Sequence, residues 1–177
     1  PEPEMSDANE GLRELYGQIR LTLETDNEPL MLRLLGHSPE TLKGLWAFMQ
    51  ASLIGGGGRV KRTTKELIAL AAASSARAEH LKDVMLGILE ERGIDPAVIN
   101  DLVENGETRR LPEHTRKILL FVRRAALDPA LLNDEDFEAL QKAGLSDADV
   151  AEIVGFAGLI SCLITMTRAF GLTQPRA

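Results

Sequence analysis

Between Ala69 and Ala76 the chain reads ALAAASSA, in which one leucine stands among alanines and serines. Alanine favours the helix more than any other residue and carries no bulk to any face, so a helix built from such a run lets another helix approach closely. The rest of the chain follows suit. Helical periodicity dominates, and no segment combines period-two alternation with β-branched and aromatic enrichment, so the fold class is read as all-α, a compact helical bundle.

The periodicity predicts a first amphipathic helix over about Asn9 to Thr25, with Leu12, Leu15, Tyr16, Ile19 and Leu23 on one face. A short apolar segment follows at Leu30 to Leu35. Ser38 reads as an N-cap and Pro39 as the first residue of the next helix, where a missing N–H costs nothing. The buried stripe of that helix is Leu42, Leu45, Trp46, Met49 and Leu53. Gly55 to Gly58 then breaks the chain. Without a Gly-Lys-Ser/Thr ending or a preceding strand, this run reads as a mobile helix-to-helix loop and not as a phosphate cradle. One helical unit is predicted over Thr64 to Arg92, stopping at Gly93 and burying Leu81, Val84, Met85, Ile88 and Leu89 in its second half. Further helices are predicted from Pro96 to Asn105-Gly106, from Glu113 to Leu127, and from Asp134 to Ala143. Ser146-Asp147-Ala148-Asp149 starts the last one, which continues to about Phe170.

A chain of 177 residues with 44% hydrophobic content can bury one sizeable core, and a single domain is expected. Its net charge of -7 repels polyanions unless basic groups cluster on one face. The densest basic group, Arg109, Arg110, Arg116, Lys117, Arg123 and Arg124, is interspersed with Glu107, Glu113 and Asp128. No nucleic-acid partner is expected. The longest uncharged run, Ile153 to Thr167, falls short of the roughly 20 apolar residues of a spanning helix and reads as a core or interface helix, so no membrane partner is expected. The acidic start PEPEMSDANE shows no basic region followed by an apolar one, and a cytoplasmic location is expected. Cys162 is the only cysteine, which excludes an intramolecular disulfide and suits a reducing compartment.

The stretch TTKELIALAAASSARAEHLKDVM, Thr63 to Met85, closely resembles the core motif of the alkylhydroperoxidase-D and carboxymuconolactone decarboxylase-like superfamily. There a Glu opens a small-residue helix, and a Cys-x-x-Cys with a downstream His follows. Glu66 holds the Glu position. Ala78 and Leu81 stand where the family has its two cysteines, His80 at the His before the second cysteine, and Met85 at the downstream His. Outside the motif, LRELYGQIRLTLET and LGHSPETLKGLWAFM are similar to the amino-terminal extension of the peroxidase-related branch, and the AGLSD step into the last helix is similar to its carboxyl half. Arg77-Ala78-Glu79 also resembles the Arg-x-Glu-like step of the decarboxylase branch, whose neighbouring His would fall near Val84. The resemblance implies a helical domain over residues 11–171, with an acidic, mobile tail at residues 1–10 and a carboxyl tail at 172–177.

In redox members of that family the cysteines sit at a helix start, where the dipole favours the thiolate. An alanine and a leucine supply neither thiolate nor disulfide, so peroxide reduction by the family mechanism is not expected. Cys162 lies in an apolar helix with no His, Lys or Arg beside it and reads as a small hydrophobe. Glu66 and His80 remain as ionisable groups. As a pair, the carboxylate would fix the imidazole tautomer and leave His80 a general base acting on a small organic acid. The alternative is structural: Thr63-x-x-Glu66 as a capping box, and His80 on a polar face with Glu79, Lys82 and Asp83. In that case the chain is a non-catalytic ligand-binding or scaffolding oligomer. A pocket around Glu66, Ala78, His80, Leu81 and Met85 would take a small apolar or acidic ligand. The resemblance also implies a homo-oligomer, a dimer, trimer or hexamer, with the apolar last helix at the interface. His37, His80 and His114 are too dispersed for a metal site, and no metal or cofactor is expected.

Overall fold

The structure, a computed structural model, describes residues 10–55 and 60–172. Nine α-helices and no strand occur among the described residues, in agreement with the all-α expectation. Gly56 to Gly58 of the glycine run, residues 1–9 and the tail beyond Leu172 lie outside the described residues. The packing divides into two compact units between Ala51 and Ser52.

In the first unit, α1 (Glu10–Leu23) buries Leu12, Leu15, Tyr16, Ile19 and Leu23, the apolar face its spacing predicts. Helix α2 (Leu30–Leu35) is closed by Gly36, and that glycine is required sterically. A Cβ there would stand 2.0 Å from the Tyr16 hydroxyl, which donates to the Arg33 carbonyl at 3.1 Å. Helix α3 (Pro39–Met49) starts at Pro39 with Ser38 in the N-cap position, but the serine side chain makes no capping bond. Its hydroxyl lies 2.7 Å from that of Thr41 instead. After Met49 the helix widens into a π-turn, Gln50–Ile54, which buries Leu53.

Helix α4 (Arg62–Ala76) organises the second unit, packing against four other helices: α5 (Glu79–Glu91), α6 (Pro96–Asn105), α7 (Glu113–Leu127) and α9 (Asp147–Ala169). Every residue from Lys65 to Ala73 is buried. The small side chains of Ala69 to Ala73 permit these close approaches. The helix starts two residues earlier than expected, with Lys61 at the N-cap and no side-chain capping bond. Thr63 therefore sits inside the helix, and the capping box with Glu66 does not form.

The single unit expected over Thr64 to Arg92 is two helices. At Arg77 the backbone turns left-handed, with φ 53° and ψ 42°. The Ala78 N–H then reaches back to the Ala73 carbonyl at 2.9 Å, a Schellman closure made without glycine. Ala78 becomes the N-cap of α5, and the two helices form an antiparallel hairpin. Along α5, Leu81, Met85, Ile88 and Leu89 are buried, while Val84, expected inside, is half-buried.

Helix α6 starts as the sequence indicates. The Asp95 side chain accepts from the Ala97 N–H at 2.9 Å, and Pro96 takes the first helical position. It ends at Gly106 with φ 68°, where a Cβ would stand 2.5 Å from Arg123 Nη1 and 2.7 Å from Ser75 Oγ. Arg123 also donates to the Gly106 carbonyl at 2.8 Å, placing a cation from α7 at the negative end of α6. A 3₁₀ turn at Pro129–Leu131 leads to α8 (Asp134–Lys142). Both α8 and α9 open with complete capping boxes, Asn133 with Asp136 and Ser146 with Asp149. Helix α9 is long and apolar enough to cross a membrane, yet Ile153, Phe156, Ala157, Ile160 and Leu163 are buried on its inner face.

Candidate functional site

The α4–α5 hairpin carries every residue singled out from the motif, and its geometry separates them. Ala78, Leu81 and Met85 are buried together at the N-cap, third position and second turn of α5. Two of them, Ala78 and Leu81, occupy the helix start where a thiolate would gain from the dipole, but only hydrocarbon stands there. The helix start is also closed by the chain itself: the His80 N–H donates to the Leu172 carbonyl at 3.2 Å. Leu172 is buried beside it, so one of the amide donors left open at a helix start is already satisfied. The His80 side chain is half-buried.

Glu66 lies at the other end of the hairpin. It is only 1% exposed, and two guanidinium groups hold its carboxylate. Arg62, one turn before it on α4, donates from Nε to Oε1 at 2.9 Å. Arg92, just past the end of α5, places Nε 3.0 Å from Oε2 and Nη2 3.3 Å from Oε1. The Nε contact to Oε2 is an ion pair without hydrogen-bond alignment. Arg92 follows His80 by twelve residues, which in a helix is about 18 Å of axis at 1.5 Å per residue. The antiparallel arrangement therefore sets the Glu66 carboxylate against the end of α5 and His80 at its start. At this end of the hairpin the Glu66 carboxylate is met by an arginine clamp.

Next to Glu66 in sequence, Lys65 forms a second buried charge pair. The lysine is 1% exposed; its Nζ stands 2.5 Å from Glu152 Oε1 and 5.9 Å from the centre of the Phe156 ring. It ties α4 to α9. Of these partners only Arg62 was readable beforehand, as an i,i+4 pair with Glu66. Arg92 and Glu152 are distant in sequence, and no local signal marks them. Elsewhere, Trp46 is buried as core, and His114 is exposed with its Nε2 3.2 Å from the Thr115 hydroxyl. Burial pushes the Cys162 thiol above its ordinary value, which disfavours the thiolate. No group of His, Cys, Asp and Glu with metal-binding geometry occurs among the described residues.

No family model and no curated protein matches the sequence. Solved structures do match the fold. A peroxidase-related protein from Ralstonia eutropha JMP134, described as an alkylhydroperoxidase AhpD core, superposes with a TM-score of 0.86 at 20% identity, over 99% of this chain and 90% of that one. A peroxidase-related protein from Silicibacter sp. TM1040 gives 0.81 at 19% identity, over 100% and 90%. A variant of the debrominase Bmp8 in complex with 2,3,4-tribromopyrrole gives 0.80 at 19%, over 96% and 88%. The chain thus has the alkylhydroperoxidase AhpD-like fold that its Thr63 to Met85 motif resembles, and Cys162 is its only cysteine.

Proposed function

We propose that this chain is a ligand-binding or scaffolding oligomer built on the alkylhydroperoxidase-D-like fold, and not a thiol peroxidase. The observation that carries the reading is the clamp on Glu66. A carboxylate buried between Arg62 and Arg92 has its charge met by two guanidinium groups and serves the hairpin, whereas a catalytic partner would need to reach the imidazole. Hydrocarbon at Ala78 and Leu81 points the same way.

Self-association is supported by the outer face of α9. Ala151, Val154, Gly158 and Thr165 are exposed there, and a Cβ added at Gly155 or Gly158 would meet nothing within 4 Å. A glycine inside a helix costs about 0.8–1 kcal/mol relative to alanine. No close contact among the described residues requires these two, and close packing of a second copy would.

Two measurements test the reading. Light scattering is expected to give a mass above the monomer that falls to the monomer in Gly158→Arg, with the helical circular dichroism unchanged. A screen of small carboxylic acids is expected to show no turnover. Turnover lost in His80→Ala, with the fold intact, would instead establish the acid–base reading in which His80 is the general base.

A further inference from the structure

A groove of about 720 Å³ lies away from the hairpin site, between α6, the loop after it and the first turns of α7. Its volume suits a small molecule. Thr108 fixes the loop: its buried hydroxyl donates to Asp101 Oδ2 at 2.6 Å and accepts from the Arg110 N–H at 3.2 Å. The Arg123 bond to Gly106 anchors the same loop at its start. The wall is therefore built before any ligand arrives.

Charge in the groove is only partly balanced from within. Arg110 pairs with Asp101 at 3.4 Å and Lys117 with Glu113 at 3.7 Å. Arg109 and Arg116 line the same groove with no ion pair among the described residues, beside one further acid, Glu107. The Nε of Arg116 is buried and has no hydrogen-bond partner. That N–H is closed to a ligand in the groove, so a carboxylate would meet the terminal nitrogens of Arg116, to which it offers two parallel acceptors. Leu120, 45% exposed, adds an apolar wall.

We propose that this groove binds a small organic monocarboxylate, its carboxylate on the Arg116 guanidinium and its apolar body over Leu120. Glu107 and Glu113 disfavour a dianionic phosphate at the same place. The proposal rests on the ligand-binding reading above and supplies its ligand class.

The test is an amide NMR titration with sodium benzoate at constant ionic strength, with benzyl alcohol as the neutral comparator. Benzoate is expected to give saturable shifts within residues 101–120, and benzyl alcohol none there. Arg116→Gln, with its spectrum otherwise native, is expected to weaken benzoate at least tenfold. Arg116→Lys is expected to recover part of the loss, because an ammonium is a point charge and not a fork. Shifts that never saturate, or an affinity unchanged in Arg116→Gln, would overturn the site. Saturable shifts confined to the start of α5 would overturn this groove while sparing the ligand-binding reading itself.

Discussion

Arg92 stands 3.0 Å from the carboxylate of Glu66 across the open end of the α4–α5 hairpin, with Arg62 on the other side at 2.9 Å. The carboxylate thereby ties α4 to the end of α5. Breaking a buried ion pair by removing one partner costs about 3–5 kcal/mol. Here the arginine side chains keep 24% and 29% of their exposure, so water takes up part of the loss. Glu66→Gln is expected to lower the unfolding free energy by about 3 kcal/mol in urea titration. Arg92→Gln is expected to cost about 1 kcal/mol, because Arg62 still holds the carboxylate.

Lys65 and Glu152 are unequal partners, with side-chain exposures of 2% and 21%. Glu152→Gln strands the buried ammonium and is expected to cost about 3–5 kcal/mol. Lys65→Met leaves a carboxylate that water reaches, and is expected to cost less than half of that. The double variant Lys65→Met with Glu152→Leu is expected to return within about 1 kcal/mol of the wild type. Denaturation curves of the three variants beside the wild type check all three.

Asp136 links α8 to α7. The hydrogen bond from Arg124 holds its carboxyl below the ordinary value of 3.8, with a further contribution from the Asn133 N–H. A folded-state value below the unfolded one means that the ionised form stabilises the fold. That contribution is full above about pH 5, and is lost as the pH falls through 3.8 and below. The stability difference between wild type and Asp136→Asn is therefore expected to be largest near neutral pH and to shrink toward pH 2. Thermal melts across that range measure it.

Most of the fold was legible because the signals were local. Asp95-Pro96 and Ser146 to Asp149 mark helix starts through their own side chains, and both start where the sequence places them. The break at Arg77 was not legible, because a left-handed residue there is imposed by the closure onto Ala73 and carries no glycine to announce it. Thr63 misled in the opposite direction. It has the spacing of a capping box, but the helix gains its first turn from Arg62, whose side chain the Glu66 carboxylate holds. The candidate site was legible as a set of positions and not as a geometry. Whether Glu66 meets His80 depends on the hairpin's antiparallel pairing, which brings in Arg92 from 26 residues away.

The most direct test is hydroperoxide-dependent oxidation of a small dithiol, followed by peroxide consumption, with wild type and Cys162→Ser side by side. The chain has no thiol at Ala78 or Leu81, and burial disfavours the thiolate of Cys162. The expected result is no consumption above the protein-free rate from either form. Turnover that persists in both forms would contradict the reading of this chain as an alkylhydroperoxidase-D-like fold without its thiol chemistry.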